Sequence, residues 1–465
     1  MLNALTKLVY SSAVTRRLTR NVARGAAELS ITKPFILALK SRIIDVNNEP
    51  VGNGKGDGRP VLLALQPIRF RGELELCDAR SPYRILIMPL DWQERILALF
   101  YEGSLDKQKI LANEPVEEVK TAQRAARRFL RTLITDLYAE LNIVGTLSAG
   151  AHYWRDLDWG VAGKQAGFPF IILHRENLYP REAHKDILQQ RFGWRKPFEG
   201  DAIITHNEST RQGMLKAKFC RPDQIHSLGA MRMDDYIRRL KDERANTTVR
   251  ERPLVVLFSF LEGVGMTHLM PLWSDGGTAG WAKLFDATHN AMVLLANKRP
   301  DIDVVIKFKV DSYIEKRFAM ARARQGLPEA LPNNLTTTQV GDAQELIVNS
   351  SVVVAFGSTT VLEAAIAGKP VILPLLEEAG EGSEFAQYAH FADRPELFDV
   401  ACSQDEIIRH VEHRLEHPEI DDDCMRRREE TFEEFVSSLD PRAVDRYVEF
   451  LTANIGHVPA DDRAA

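Results

Sequence analysis

Short apolar runs alternate with amphipathic stretches along most of this chain. Arg84 to Pro89, Asn142 to Leu147, Phe168 to Leu173, Asp201 to Thr205 and Gln224 to Leu228 read as strands. Their apolar residues are largely continuous rather than alternating, which suits strands buried on both faces of a parallel sheet. Glu117 to Leu141 and Tyr153 to Gln165 carry apolar residues at helical spacing, and another helix follows Thr205 through Lys218. A second series starts at Pro253 to Phe258. It continues as a helix over Trp281–Asn297, a strand over Asp303–Phe308, a helix over Ala343–Asn349 and a strand over Val352–Phe356. Val361 to Ala367 is a short helix of small residues ended by Gly368, and Lys369-Pro370 opens the next strand. Between the two series lies the charged, turn-like segment Lys241–Arg252. Beyond residue 402, Ile407–Leu415, Met425–Phe435 and Val444–Phe450 are helical in pattern. The alternation predicts an α/β protein with two doubly wound domains. The expected division is 1–60 for a basic helix and linker, 61–245 and 253–400 for the two domains, and 401–456 for C-terminal helices.

Length and composition fit this division. The chain has 465 residues, 45% of them hydrophobic and 27% charged, with a formal net charge of −5. Two α/β domains are the natural outcome at this length, and the acidic balance does not favour nucleic acid. Cys77, Cys220, Cys402 and Cys424 form no zinc spacing, which points to a reduced cytoplasmic setting. No apolar run approaches the ~20 residues that a transmembrane helix requires.

Residues 1–30 differ from the rest. Lys7, Arg16, Arg17, Arg20 and Arg24 precede the first acid, Glu28, with leucines and valines interspersed. The pattern fits an amphipathic helix on an anionic membrane surface. It equally fits a helix packed on the body with its arginines in water, and a cleaved organelle presequence would share it. Asn47 to Pro60 is glycine-rich, but Gly56 follows Lys55 where a P-loop requires Ser or Thr, so it reads as a linker.

The segment Ser350–Pro374 carries the most chemistry. Its strand ends in Gly357-Ser358-Thr359-Thr360, small and polar enough for a ligand to approach the backbone, and Glu363 follows one turn later. The arrangement suits a nucleotide diphosphate with a ribose or sugar beyond it; an ordinary Ser/Thr helix cap has the same residues. Ser259, Gly263 and Gly265 sit after the second domain's first strand, where open α/β sheets collect ligands. Lys307 and Lys309 flank Phe308, so alternation puts both on one face, able to neutralise phosphate. His174-Arg175-Glu176-Asn177 follows another strand. Glu176 is placed there to act as general base on an acceptor hydroxyl; an ion pair for Arg175 and a buried, satisfied His174 are the plainer alternatives. Asp156-Leu157-Asp158 matches a DxD metal motif, but falls in a helical pattern where i and i+2 diverge. No metal is expected, and Asp156 remains a candidate base at a helix start. Arg232 and Asp234 either meet the donor or brace the linker. HExxH, Walker A, GxSxG and clustered Cys/His sets are absent.

These segments together resemble the GT-B fold glycosyltransferases, particularly enzymes of bacterial surface-polysaccharide and capsule biosynthesis. CDP-glycerol glycerophosphotransferases and UDP-N-acetylglucosamine 2-epimerase are related. The matching pieces are Asp201 to Glu208, Ile225 to Asp234 and Ser351 to Pro374, within a likeness from about residue 140 to about 395. One departure is Lys309, near the place where many relatives carry His-Pro.

The resemblance implies two Rossmann-like domains facing a cleft, with added N- and C-terminal helices. The nucleotide-sugar donor would lie on the second domain at Ser259, Gly263, Lys307, Lys309, Gly357, Ser358, Thr359, Thr360 and Glu363. The acceptor would lie on the first, with Glu176, Asp156 and His174 as catalytic candidates. The donor is a substrate, and no cofactor is implied. The expected activity is metal-independent sugar transfer to a surface glycan or lipid-linked acceptor, at the cytoplasmic face of the membrane. Alternatives are CDP-linked glycerol-phosphate-type transfer, nucleotide-sugar 2-epimerisation and a non-catalytic assembly scaffold.

Overall fold

The computed structural model describes residues 13–51, 57–65, 70, 72–101, 107–243, 251–266 and 280–455. Within them two sheets form. The first contains β1 (Ile44–Asp45), β2 (Val61–Ala64), β3 (Arg84–Ile87), β4 (Ile143–Ser148), β5 (Phe170–Leu173), β6 (Ala202–Thr205) and β7 (Ile225–Ser227). Its seven strands run in the order β1-β3-β2-β4-β5-β6-β7. All its pairs are parallel except that β1 runs antiparallel to β3. The second contains β8 (Leu254–Phe258), β9 (Asp303–Lys307), β10 (Leu335–Thr338), β11 (Val352–Ala355), β12 (Val371–Pro374) and β13 (Asp399–Ala401). Its six strands are all parallel, in the order β10-β9-β8-β11-β12-β13. Two doubly wound Rossmann-like sheets facing a cleft, with helices added at both ends of the chain, constitute a GT-B-like α/β architecture.

Burial explains the apolar runs. Every residue of β4, β5, β6, β8, β11 and β12 is buried. The long helix Glu117–Leu141 turns Phe129, Leu130, Leu133, Ile134 and Leu137 inward. It ends at Asn142, which takes the left-handed conformation with φ +53, one that Asn tolerates better than most residues. Strands β2, β10 and β13 were not anticipated. They are three or four residues long, and β10 reads Leu-Thr-Thr-Thr, without an apolar run.

The C-terminal helices divide between the halves. Gln404–Glu416 packs on Ala282–Lys298, and Asp422–Phe435 packs on Thr360–Ile366, both beside the second sheet. Ala443–Ile455 returns to the first half and packs on Glu73–Arg80. Its Val444, Tyr447, Leu451 and Ile455 enter the cluster that holds Leu62, Ile85 and Val144. Asp234 anchors this return: its carboxylate accepts from the amides of Ala443 at 3.0 Å and Val444 at 2.8 Å. Asp234 therefore serves as a brace.

Near the N-terminus, Ala13–Glu28 is helical. Ala23, Ala26 and Ala27 pack against the cluster around Phe129 and Leu133, and Arg24 pairs with Glu28 at 3.1 Å. Lys7 and the side chains of Arg16, Arg17 and Arg20 lie outside the described residues, as do 52–56 of the glycine-rich linker and 244–250 of the interdomain segment. Among the described residues no helix is long and apolar enough to cross a membrane.

Candidate functional site

The carboxyl ends of both sheets open onto one cavity of about 330 Å³. Tyr153 follows β4, Arg175 to Tyr179 follow β5, His206 follows β6, and Arg232 follows β7. His184 and Arg191 reach it from the helix Glu182–Gly193. Facing them are Val264 and Gly265 after β8, Lys309 after β9, Gly357 to Thr359 after β11, and His390 beyond β12. The order of the second sheet reverses between β8 and β11, the point where doubly wound sheets part to admit a ligand. Gly357 lets the two loops meet there. Its φ is +61, and a Cβ would lie 2.6 Å from Cγ1 of Val264.

The lining is cationic. Arg175, Arg191, Arg232 and Lys309 converge, and Glu176, exposed, is the one acid among the described lining residues. Arg175 is paired with the buried Glu73. Arg232 reaches across the cleft to Oε1 of Glu363 at 3.3 Å and Oγ1 of Thr359 at 3.2 Å. Thr359 in turn donates to Glu363 at 2.7 Å. Burial holds the His206 ring well below its ordinary proton affinity, reinforced by Arg175 and Arg232.

The structure brings Glu176, Lys309, Gly357, Ser358 and Thr359 together at the cavity, with Gly265. It places the other candidates elsewhere. Glu363 is buried beneath the cavity, gripping Arg232 and Thr359 instead of projecting into the cleft. Thr360 begins the helix behind Ser358, whose hydroxyl accepts its amide at 3.3 Å. Lys307 does not share a cleft face with Lys309: its ammonium donates to the carbonyls of Phe308 and Gln339. Strand β9 ends at Lys307, so strand alternation no longer governs Lys309. Ser259 is buried against Nε2 of His289 at 2.8 Å. Gly263 lies in the turn leading to Gly265, its carbonyl accepting from Met266.

The first-half candidates separate too. Asp156 is buried and accepts from Ser148 Oγ at 2.6 Å. Asp158 points to Arg127 at 2.7 Å and Tyr101 at 2.5 Å. The two acids therefore diverge. Among the described residues no three His, Cys, Asp or Glu side chains group to hold a metal. His174 is fully buried, Nδ1 accepting from the Ala151 amide at 3.4 Å. Burial, with Arg191 nearby, depresses its pKa to about 3. It is a core histidine rather than a base for the cleft.

Sequence reasoning missed Arg191, His184, His206 and His390 as site residues. His206 had a usable signal, since it directly follows a strand. His184 and His390 are 206 positions apart and meet only through the tertiary fold.

No family model matches this sequence, and no curated protein matches it. Among solved structures, the chain is similar to UDP-GlcNAc 2-epimerase from Neisseria meningitidis bound to UDP-GlcNAc. The two are 12% identical, the match covers 85% of this chain and 100% of that one, and the TM-score is 0.48. It is also similar to a UDP-forming α,α-trehalose-phosphate synthase from Burkholderia xenovorans, at 10% identity, 85% and 98% coverage and a TM-score of 0.44. Anabaena Alr3699/HepE in complex with UDP-glucose is similar at 13% identity, 85% and 98% coverage and a TM-score of 0.40.

Two outcomes follow from the site. Glu363→Ala removes the acceptor that Arg232 and Thr359 share, so it should destabilise the fold by about 1–3 kcal/mol. Glu363→Gln should cost less, and thermal denaturation compares them. Stability should also fall in acid. The folded-state pKa of His174 and His289 is depressed to about 3, below the unfolded value of about 6.5. Between these values the unfolded chain binds more protons. The contribution is complete above pH ~6.5 and declines as pH falls toward about 3, by about 1 kcal/mol per pH unit per histidine. A Tm series from pH 7.5 to 4.5 measures it; a flat profile would contradict the burial of these rings.

Proposed function

We propose that this protein is a GT-B-type glycosyltransferase that moves a sugar from a nucleotide-sugar donor to a glycan or lipid-linked acceptor. The observation that carries the reading is that Arg191, Arg232 and Lys309 line one cleft with a single exposed carboxylate, Glu176, at the carboxyl ends of both sheets. The donor's diphosphate lies against Gly265 and Gly357 to Thr359, where the backbone is accessible. Arg232 and Lys309 stabilise the negative charge that grows on it as the bond to the sugar breaks. Glu176 takes the proton of the acceptor hydroxyl as its oxygen attacks the anomeric carbon. The nucleoside diphosphate leaves with the electron pair of the broken bond. The step uses no metal.

The test is incubation with a panel of nucleotide sugars and lipid-linked or oligosaccharide acceptors. Nucleoside diphosphate should appear only when an acceptor is present. Glu176→Gln should keep donor binding, seen by calorimetry, and lose turnover by about 10²–10⁴-fold. Sugar epimerisation without acceptor-dependent release would make the protein an isomerase. Use of CDP-glycerol alone would make it a phosphoester transferase, and no reaction with any donor would leave a scaffold.

Placement at the cytoplasmic membrane face belongs to the same proposal. Val22 on the first N-terminal helix, Leu37 on the second, and Leu29 and Ile31 in the turn between them are exposed, as is Lys33, a mixture suited to an anionic lipid surface. Full-length protein should co-sediment with phosphatidylglycerol vesicles at low salt and release as salt rises. A chain starting at residue 31 should bind less; equal partitioning of the two would leave the helix as ordinary packing.

A further inference from the structure

Among the described residues three arginines line the cleft, and they differ in what already holds them. Arg175 is paired with the buried Glu73, and Arg232 with Glu363. Arg191 makes no ion pair among the described residues. It stands half-buried in the last turn of the helix Glu182–Gly193 and faces the Tyr179 hydroxyl, a neutral group. Glu176 lines the same wall but forms no ion pair with it. A guanidinium cannot shed its proton, so a lining arginine without a counter-ion is the one left to meet a substrate.

A second cation adds to the same wall. Arg195 follows four residues later and likewise makes no ion pair among the described residues. Its guanidinium carbon lies 5.2 Å from the ring centroids of both Phe192 and Trp194, and its Nε and Nη1 atoms are shut from solvent with no hydrogen-bond partner there. Burial, with the charge of Arg191 beside it, pushes its pKa down to about 10. It enters a small cavity that shares Tyr153 with the cleft. A helix end favours one cation in its last turn. That preference does not account for two neighbouring guanidinium groups that repel each other with no acid between them. Tyr179 ties this positive wall to the candidate base, since the charges of Arg191, Glu176 and Arg195 all bear on its hydroxyl.

We propose that the acceptor is an acidic sugar, and that Arg191 holds its phosphate or carboxylate group on the first half's wall beside Glu176. The inference rests on the transferase reading for calling this ligand the acceptor; the anion contact itself follows from the arginines. Arg191 lies on the half that carries Glu176, whereas the loops that receive the donor's diphosphate belong to the other. The guanidinium fork meets two oxygens of one anionic group. Arg195 strengthens the positive potential there without touching the ligand. The pairing also answers a difficulty of the site. An acidic acceptor approaching an ionised Glu176 is repelled by it, and Arg191 offsets that repulsion while leaving the carboxylate free to take the hydroxyl proton. A neutral sugar gains nothing from Arg191, so this residue sets acceptor specificity.

The experiment measures, by ligand-detected NMR on the full chain, affinity for glucose and N-acetylglucosamine, their uronic acids and their 6-phosphates. Excess UDP, GDP and CDP are present to occupy the donor side. Wild type should bind acidic sugars tenfold or more tightly than the neutral ones. A preference confined to the uronates or to the phosphates names the anion and supports the proposal equally; no preference for acidic sugars overturns it. Arg191→Gln should abolish the preference while nucleoside diphosphate affinity, read by calorimetry, stays within about twofold. Arg191→Lys should restore part of it, since a point charge returns without the fork. A merely structural arginine would move Tm and leave the preference intact. Should Arg191→Gln not fold, Arg191→Met replaces it, and a wild-type preference in either variant overturns the proposal. Loss of nucleoside diphosphate affinity in place of the acidic preference would assign Arg191 to the donor and overturn it too. A protein that selects acidic sugars through Arg191 but releases no nucleoside diphosphate from any nucleotide sugar keeps the anion contact and loses the transferase reading. Transfer to neutral acceptors, at wild-type turnover in Arg191→Gln, does the reverse.

Discussion

Residues 230–236 form the joint on which the cleft depends. The Ala230 amide donates to Ser437 Oγ at 2.8 Å, and the Asp234 carboxylate takes the amides of Ala443 and Val444. Arg232 reaches the Glu363 carboxylate, and the Tyr236 hydroxyl donates to the Glu363 carbonyl at 2.8 Å. One short stretch of the first half thus grips the C-terminal segment and the helix behind the Gly357 turn together. Buried hydrogen bonds each contribute about 1 kcal/mol net, but leaving one partner unmatched costs more. The joint is therefore held chiefly by the penalty of breaking it piecemeal. Asn207 adds a nearby tie, donating to the Phe435 and Asn177 carbonyls. The opposite rim is held by Arg181 and His184 on the carbonyls of Ala386, Tyr388 and Ala389.

The hydrophobic pattern revealed the architecture because its parallel strands are buried on both faces. The runs at Val352–Ala355 and Leu254–Phe258 leave no polar face to confuse them with amphipathic helix. The site was legible only where it follows directly from a strand end. Gly357 to Thr359 and Glu176 satisfy that rule, and both stand at the cavity. Glu363 failed it. A residue one turn into a helix points according to how the helix packs, and here that direction is into the protein, toward Arg232. Asp156 and His174 illustrate a second limit. Each sits near a strand end, yet a local partner claims it: Ser148 for Asp156, the Ala151 amide for His174. Sequence shows which residues are near a cleft, but not which already have partners.

The cavity sets fixed positive charge beside neutral imidazoles. Its arginines carry charge permanently, while burial and nearby positive groups hold His206 and His390 in the neutral form. An arriving anion reverses that pressure. It lowers the electrostatic cost of protonating an imidazole, so binding and proton uptake are coupled in such a site. The single exposed carboxylate, Glu176, shares the first half's wall with Arg175, Arg191 and Arg232.

The return of the helix Ala443–Ile455 to the first half has a topological consequence. The chain builds the first sheet, crosses to build the second, and crosses again to finish the first. Cutting it once in the segment 241–252 would not yield two natural pieces. The leading piece would lack Val444, Tyr447, Leu451 and Ile455, and would open the face of its sheet around Leu62 and Val144 to water. The trailing piece would carry that apolar helix with nothing to cover it. A gene encoding this protein therefore cannot be split or recombined at its evident linker without moving its last helix as well. The halves are separable in architecture but not in sequence.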